Sequence, residues 1–329
     1  MRSARSSTPA RSNRESKRQG ALPPGGHPAQ HALQDFLELL VSAFASGCIY
    51  GLVALGYLLM IRPTGIINFA VGEWAMLGAF SAFLLLGKFE WPYPAGIAGV
   101  VAIMLAAGWF TERLTVRPLV ERNAPLLAPV LTLLGMLVVY REGVSLGFGP
   151  DPHPVPYPFG FGRLEFGPEG YQIAGSYQSF FIIAMTLAVF ALAWWFFERT
   201  LWGKCFEAVA LNRRAAALMG INLSLVTSLS FAGGAAVAGT AGLLVSPNIS
   251  AHFLMGIPLA IQGFTALVVG GVGRVEGALL GGILLALAEQ LTVRYAPVPA
   301  GYAQGVPLAL LIVFLLVRPG GLLRAKELR

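Results

Sequence analysis

Charge is the scarcest resource in this chain. Of its 329 residues only 12% are Asp, Glu, Lys or Arg, while 56% are apolar, and the mean hydropathy is +0.68. Soluble domains carry about 25% charged residues, so a water-soluble globule is excluded. Cysteine is nearly absent: Cys48 falls in an apolar run and Cys205 in a polar island, which excludes a disulfide framework and a cysteine metal site. The four histidines, His27, His31, His153 and His252, are scattered without a zinc-binding spacing. Catalytic signatures are missing too. There is no G-x-x-x-x-G-K-[ST]; Gly203-Lys204 is followed by Cys205 and has no phosphate-cradling loop before it. With no H-E-x-x-H and no paired intramembrane aspartates, an intramembrane hydrolase lacks its base.

What is present is a succession of long apolar runs, which places the chain among polytopic all-α membrane proteins, a helical bundle of about eight to nine spans. Residues 1–34 are rich in Arg, Ser, Pro and Gly and read as a disordered basic tail; 35–329 form the transmembrane domain. The expected apolar segments are 36–61, 66–86, 94–110, 126–146, 178–197, 223–245, 255–271, 278–291 and 303–317. The third is short for a span, and the seventh, with Pro258 and Gln262, reads as a broken or half-length entry. Gly47 and Gly51 open one face of the first segment to a neighbouring helix. Gly234, Ala238 and Gly242 do the same in the sixth. Arg62-Pro63-Thr64-Gly65 breaks the chain before the second, which carries Asn68, Glu73 and Trp74. A charge inside a span is costly, so Glu73 must face protein, water or an interface. Arg141 and Glu142 either satisfy each other or sit at the interface. Residues 147–177, with Arg163 as their single basic residue, read as an extracytoplasmic loop. Arg113, Arg117 and Arg122, the loop at Arg274, the island at 199–222 and the basic end at Arg318, Arg324, Lys326 and Arg329 fall on one side, the cytoplasm by the positive-inside bias. Nine crossings then leave the N-terminus outside. The charge of +7 reports on orientation, not on nucleic acid.

The island at 199–222 holds Arg199, Lys204, Arg213 and Arg214. Asn212 suits the N-cap of a helix over 213–219, and Gly220 suits the left-handed residue that ends it. A second short helix is expected over 204–211. Two short capped helices between spans form a cytoplasmic platform for a partner, or else a basic loop that only sets topology.

Four stretches together resemble the permease subunits of ABC importers for branched-chain amino acids: GLVALGYLLMIRPTGIINFAVGEWAMLGAF (51–80), ERLTVRPLV (112–120), LNRRAAALMGIN (211–222) and FTALVVGGVGRVEGALLGG (264–282). The family's I-N-F-A-x-G-E is met by Ile67, Asn68, Phe69, Ala70, Gly72 and Glu73, with Val71 where histidine is common. The E-A-A…G loop of another importer class is only half present, as Glu207-Ala208-Val209 with Arg213 in the glycine position. The resemblance implies a permease with no enzymatic activity and no cofactor, in the bacterial inner membrane. Its partners would be a second, similar permease, two cytoplasmic ABC ATPases and a periplasmic substrate-binding protein. It makes the platform the coupling region, with Phe206, Glu207, Asn212, Arg213, Arg214 and Gly220 in a groove of the ATPase. Asn68, Glu73 and Gln262 are the pathway candidates, each of them equally open to a helix-packing role. Urea or amides are alternative cargoes. A self-contained channel or secondary carrier would have to rely on Glu73 and Glu289.

Overall fold

The computed structural model describes residues 28–122, 124–125, 127–160, 162–166, 173–295, 305–317 and 321–323. The tail at 1–27 and the basic residues Arg318, Arg324, Lys326 and Arg329 lie outside them.

Helix α1 runs Pro28–Thr64, beginning within the stretch expected to be tail and passing through Arg62 and Pro63 before the break at Gly65, whose φ is +68°. Residues 65–70 are not helical. Helix α2 is Val71–Ala82 and closes with a π-helical turn, Phe83–Lys88. Helix α3, Tyr93–Thr111, continues through a second π turn, Glu112–Val116, into α4, Arg117–Glu121. The third segment is therefore not short: the helical run is 29 residues, and the expected basic loop is its continuation. Helix α5 follows at Leu127–Phe148. The loop after it holds a two-stranded antiparallel hairpin, β1 (Arg163–Phe166) with β2 (Ile173–Ser176), in the register Arg163 to Ser176. Then come α6 (Tyr177–Arg199), α7 (Leu201–Leu211), α8 (Arg213–Leu218), α9 (Leu223–Ile249), α10 (Gly256–Gly270), α11 (Val275–Tyr295) and α12 (Gly305–Val317).

Among the described residues, seven helical runs are long and apolar enough to cross a membrane; α10 and α12 are shorter apolar helices. The 15 residues of α10 reach only about 22 Å, less than the roughly 30 Å of a bilayer core.

Small residues set the packing. Helices α1 and α9 cross where Gly56 and Gly234 face each other: a Cβ on Gly56 would stand 3.0 Å from the Gly234 oxygen, and the reverse distance is 2.9 Å. Gly56 also meets Ala238 while Met60 meets Gly234, so the two helices run antiparallel. Each then carries the same neighbours. Helix α9 packs on α2 at Gly78–Gly239 and on α3 at Gly108–Phe231, while α1 packs on α10 at Gly263–Val53 and on α11 at Gly47–Ile283. The starts of α2 and α10 meet at Gly72 and Gly256, where a Cβ on Gly72 would stand 2.0 Å from the Gly256 oxygen. An approximate two-fold thus exchanges α1-α2-α3 with α9-α10-α11. Each half contains a long helix, an unwound link and a shortened helix, the architecture of inverted membrane repeats. The expected faces at Gly47/Gly51 and at Gly234/Ala238/Gly242 lie in these contacts. Gly270, Gly277 and Gly281 also serve close packing, since a Cβ on Gly281 would meet the Ala266 oxygen at 2.0 Å.

Unwound backbone in a bundle needs internal partners. In the first link the Thr64 hydroxyl donates to the Met60 carbonyl and accepts from Ile66 N at 3.1 Å. Past α12, Leu322 N and Leu323 N donate to the Val269 and Gly270 carbonyls, covering acceptors that the end of α10 leaves open.

Candidate functional site: two polar clusters and a capped platform

The first polar cluster sits where the two shortened helices begin. Asn68 is fully buried in the unwound link; its Oδ1 accepts from Ala70 N at 2.9 Å and its amide reaches the Met60 sulfur at 3.6 Å. Glu73, in the first turn of α2, is 1% exposed. Its Oε1 accepts from Arg141 Nη2 of α5 at 3.2 Å, and its Oε2 lies against Gly256, the first residue of α10. The carboxylate therefore faces a guanidinium and two helix N-termini, all of them attractive to negative charge. Glu142 is not the partner of Arg141, because successive residues on a helix point to different faces. Instead, Glu142 is exposed on α5.

Gln262 lies elsewhere. It is six residues into α10, about 9 Å along the axis from Gly256. Its side chain lies close to the carboxylate of Glu289 on α11, which accepts from Tyr50 Oη of α1 at 2.8 Å. The three pathway candidates thus fall into two clusters: Asn68 with Glu73, and Gln262 with Tyr50 and Glu289. Tyr50 was not singled out in the sequence, and Arg141 was noted only beside Glu142. Nothing local marks them, and their partners are 239 and 68 residues away.

The platform between α6 and α9 is built as two capped helices. Thr200 Oγ1 accepts from Gly203 N at 3.0 Å and starts α7 earlier than expected. Asn212 Oδ1 accepts from Arg214 N and Ala215 N at 3.1 and 3.0 Å, capping α8. Gly220 has φ +85°; its N–H bonds the Ala217 carbonyl and Ile221 N–H bonds that of Ala216, a complete Schellman closure.

Phe206 does not project from this platform. It is 3% exposed and packs edge-on against Phe196 and Phe197 of α6, with ring centroids 5.5 and 6.1 Å away. It is the anchor of the platform rather than its docking face, because α7 is amphipathic and turns its apolar side to the bundle. Arg62, at the end of α1, stacks on Phe197 at 5.2 Å and faces Glu198, Glu207 and Glu276 across a cavity of about 120 Å3. Glu207 also pairs with Lys204 at 3.4 Å. Arg213 lines a second cavity of about 240 Å3 with Glu112, Arg117 and Glu121, while Arg214 is exposed. Glu112, in the α3 π turn, is buried and accepts from Ser228 Oγ at 2.7 Å. Beside Arg214 the platform exposes large apolar side chains: Leu211 at 75%, Leu218 at 89% and Met219 at 84%. The signal for the last two was present in the sequence, as large apolar residues directly before a helix-ending glycine.

Comparison with known proteins places these features. The family model for the branched-chain amino acid transport system permease component matches residues 39–315. The high-affinity branched-chain amino acid transport system permease protein LivH of Salmonella typhimurium is 32% identical over 302 residues, covering 89% of this chain and 96% of that one. The corresponding protein BraD of Pseudomonas aeruginosa is 32% identical over 308 residues, 89% of this chain and 97% of its own. The probable branched-chain amino acid transport permease LivH of Methanocaldococcus jannaschii is 29% identical over 284 residues, 82% and 87% of the two chains. With its multi-pass helical bundle, shortened paired helices and capped platform, the chain belongs to the family of branched-chain amino acid transport system permease components.

Proposed function

We propose that this chain is one of two permease subunits of an ATP-driven importer in the bacterial inner membrane, forming the translocation pathway for branched-chain amino acids. The platform faces the cytoplasm and docks one of two ABC ATPases, and a periplasmic binding protein delivers substrate from the other side. ATP hydrolysis belongs to the ATPases and the chain itself is not an enzyme.

The observation that carries this reading is the platform. It is short, capped at its ends and fastened to the bundle through Phe206, yet it presents Leu218 and Met219 almost fully exposed. Apolar tips on a rigid element fit the groove of a partner protein. Asn212 and Gly220 hold the element's shape, Arg213 and Arg214 supply positive charge, and Glu207 connects it to Arg62 at the end of α1. Displacement of the platform by an ATPase then moves α1, the central helix of one half. Asn68 and Glu73 at the meeting of the shortened helices, and Gln262 on α10, are the proposed pathway residues, as inverted-repeat transporters place their sites at such breaks.

The test is co-purification of the tagged chain with its co-expressed neighbours in mild detergent. Recovery of two P-loop ATPases and a sister permease is expected. A homo-oligomer without an ATPase would overturn the reading.

A further inference from the structure

Besides Glu112, which accepts from Ser228, two carboxylates sit within the bundle helices, the buried Glu73 and the half-buried Glu289, and the structure treats them differently. Glu73 has Arg141 at 3.2 Å and is 1% exposed, so its charge is matched and closed off. Among the described residues, Glu289 has no charged partner. It accepts a hydrogen bond from Tyr50 Oη at 2.8 Å and has the Gln262 side chain close by, both neutral. Tyr50, Gln262 and Glu289 are also each half-buried, so the carboxylate is within reach of a solute. The cluster joins α1 of one half with α10 and α11 of the other, and α10 is a shortened helix. A carboxylate within a membrane helix without a paired cation is expensive, and such groups mark solute pathways. One neutral donor, Tyr50, orients it, and its half-buried position leaves it open to a positively charged group.

We propose that Glu289, positioned by Tyr50 beside Gln262, receives the ammonium group of the amino acid as it crosses the bundle. This assignment rests on the importer reading above and extends it from a general pathway to one contact and one functional group of the cargo. An aliphatic side chain needs no such partner; the ammonium does, because it loses its hydration on entering the bundle. The Glu289 charge is therefore what matters, and the hydrogen bond to it is secondary.

The complete transporter, reconstituted in proteoliposomes with saturating binding protein, separates charge from structure. Leucine uptake and binding-protein-stimulated ATP hydrolysis are measured together. Glu289→Gln keeps the size and hydrogen-bonding capacity of the site; it is expected to lower uptake by roughly tenfold or more while ATP hydrolysis stays within about twofold. Glu289→Asp, which keeps the charge, is expected to recover most of the uptake, and Tyr50→Phe to reduce it by no more than about threefold. Uptake by Glu289→Gln at the wild-type rate would overturn the proposal. So would equal loss in Glu289→Gln and Glu289→Asp with parallel loss of hydrolysis, which is the mark of a structural role. Wild-type vesicles that take up no leucine would overturn the importer reading, and this assignment with it.

Discussion

Glu73 and Arg141 show what a charge inside the bundle requires. Removing one partner leaves the other desolvated and unmatched, which for a buried pair costs roughly 3 kcal/mol or more, whereas removing both charges together costs far less. Arg141→Ala is therefore expected to lower the thermal stability of the purified protein sharply, and Glu73→Gln combined with Arg141→Ala to regain much of the loss. A melting curve in detergent decides it. Equal stability of Arg141→Ala and wild type would remove the pair from the account. Gly72 obeys a different rule. A Cβ there would press 2.0 Å from the Gly256 oxygen, whereas one on Gly135 meets nothing within 4 Å. Gly72→Leu should thus fail to give a monodisperse protein on gel filtration while Gly135→Ala behaves as wild type. At this scale local chemistry was readable and long-range pairing was not. Asn212 and Gly220 act on backbone within three residues of themselves, so their types announce their roles. Arg141 acts on a residue 68 positions earlier, and a neighbouring glutamate in the chain offered a false partner. Phe206 packs toward the bundle, which the sequence did not reveal because a single aromatic in a mixed helix does not say which side that is.

At the scale of the element, the platform owes its stiffness to its caps, and under the proposed coupling role it works as a lever. Loss of the Asn212 side chain removes two accepted N–H bonds and costs about 1 kcal/mol of α8 stability. Asn212→Ala should insert and fold normally, yet show weaker stimulation of ATP hydrolysis by the binding protein, because a frayed α8 transmits less. Leu218→Glu changes the exposed tip without touching the bundle. It should reduce the amount of ATPase recovered on co-purification at unchanged melting temperature. Unchanged recovery would move the docking surface away from α8. Element boundaries were legible wherever a breaker stood: the Pro63–Gly65 break and the shortness of α10 were visible in the residues. The extent of α3 was not, since its π turn lets the helix pass through Arg113 and Pro118 without ending. The hairpin β1–β2 was hidden in a loop whose proline and glycine content masked two short strands.

The whole molecule is organised by the reciprocal crossing of α1 with α9 and the meeting of α2 with α10. None of this was visible as a sequence repeat, because the two halves share a packing pattern of small residues rather than a motif. Its orientation has a simple test in the two native cysteines. Cys205 lies half-buried on the platform and Cys48 is 2% exposed inside the bundle. A membrane-impermeant maleimide is expected to label Cys205 in inside-out vesicles and not in intact spheroplasts, with Cys48 silent in both; labelling of Cys205 from the periplasmic side would invert the topology. The central claim, that this chain is the membrane pathway of an ATP-driven amino-acid importer, is tested most directly by leucine uptake into proteoliposomes holding the co-purified complex. The account predicts accumulation against a gradient that requires both ATP on the platform side and binding protein on the other. Leucine flux through the permease alone, indifferent to ATP and to the ATPases, would contradict it.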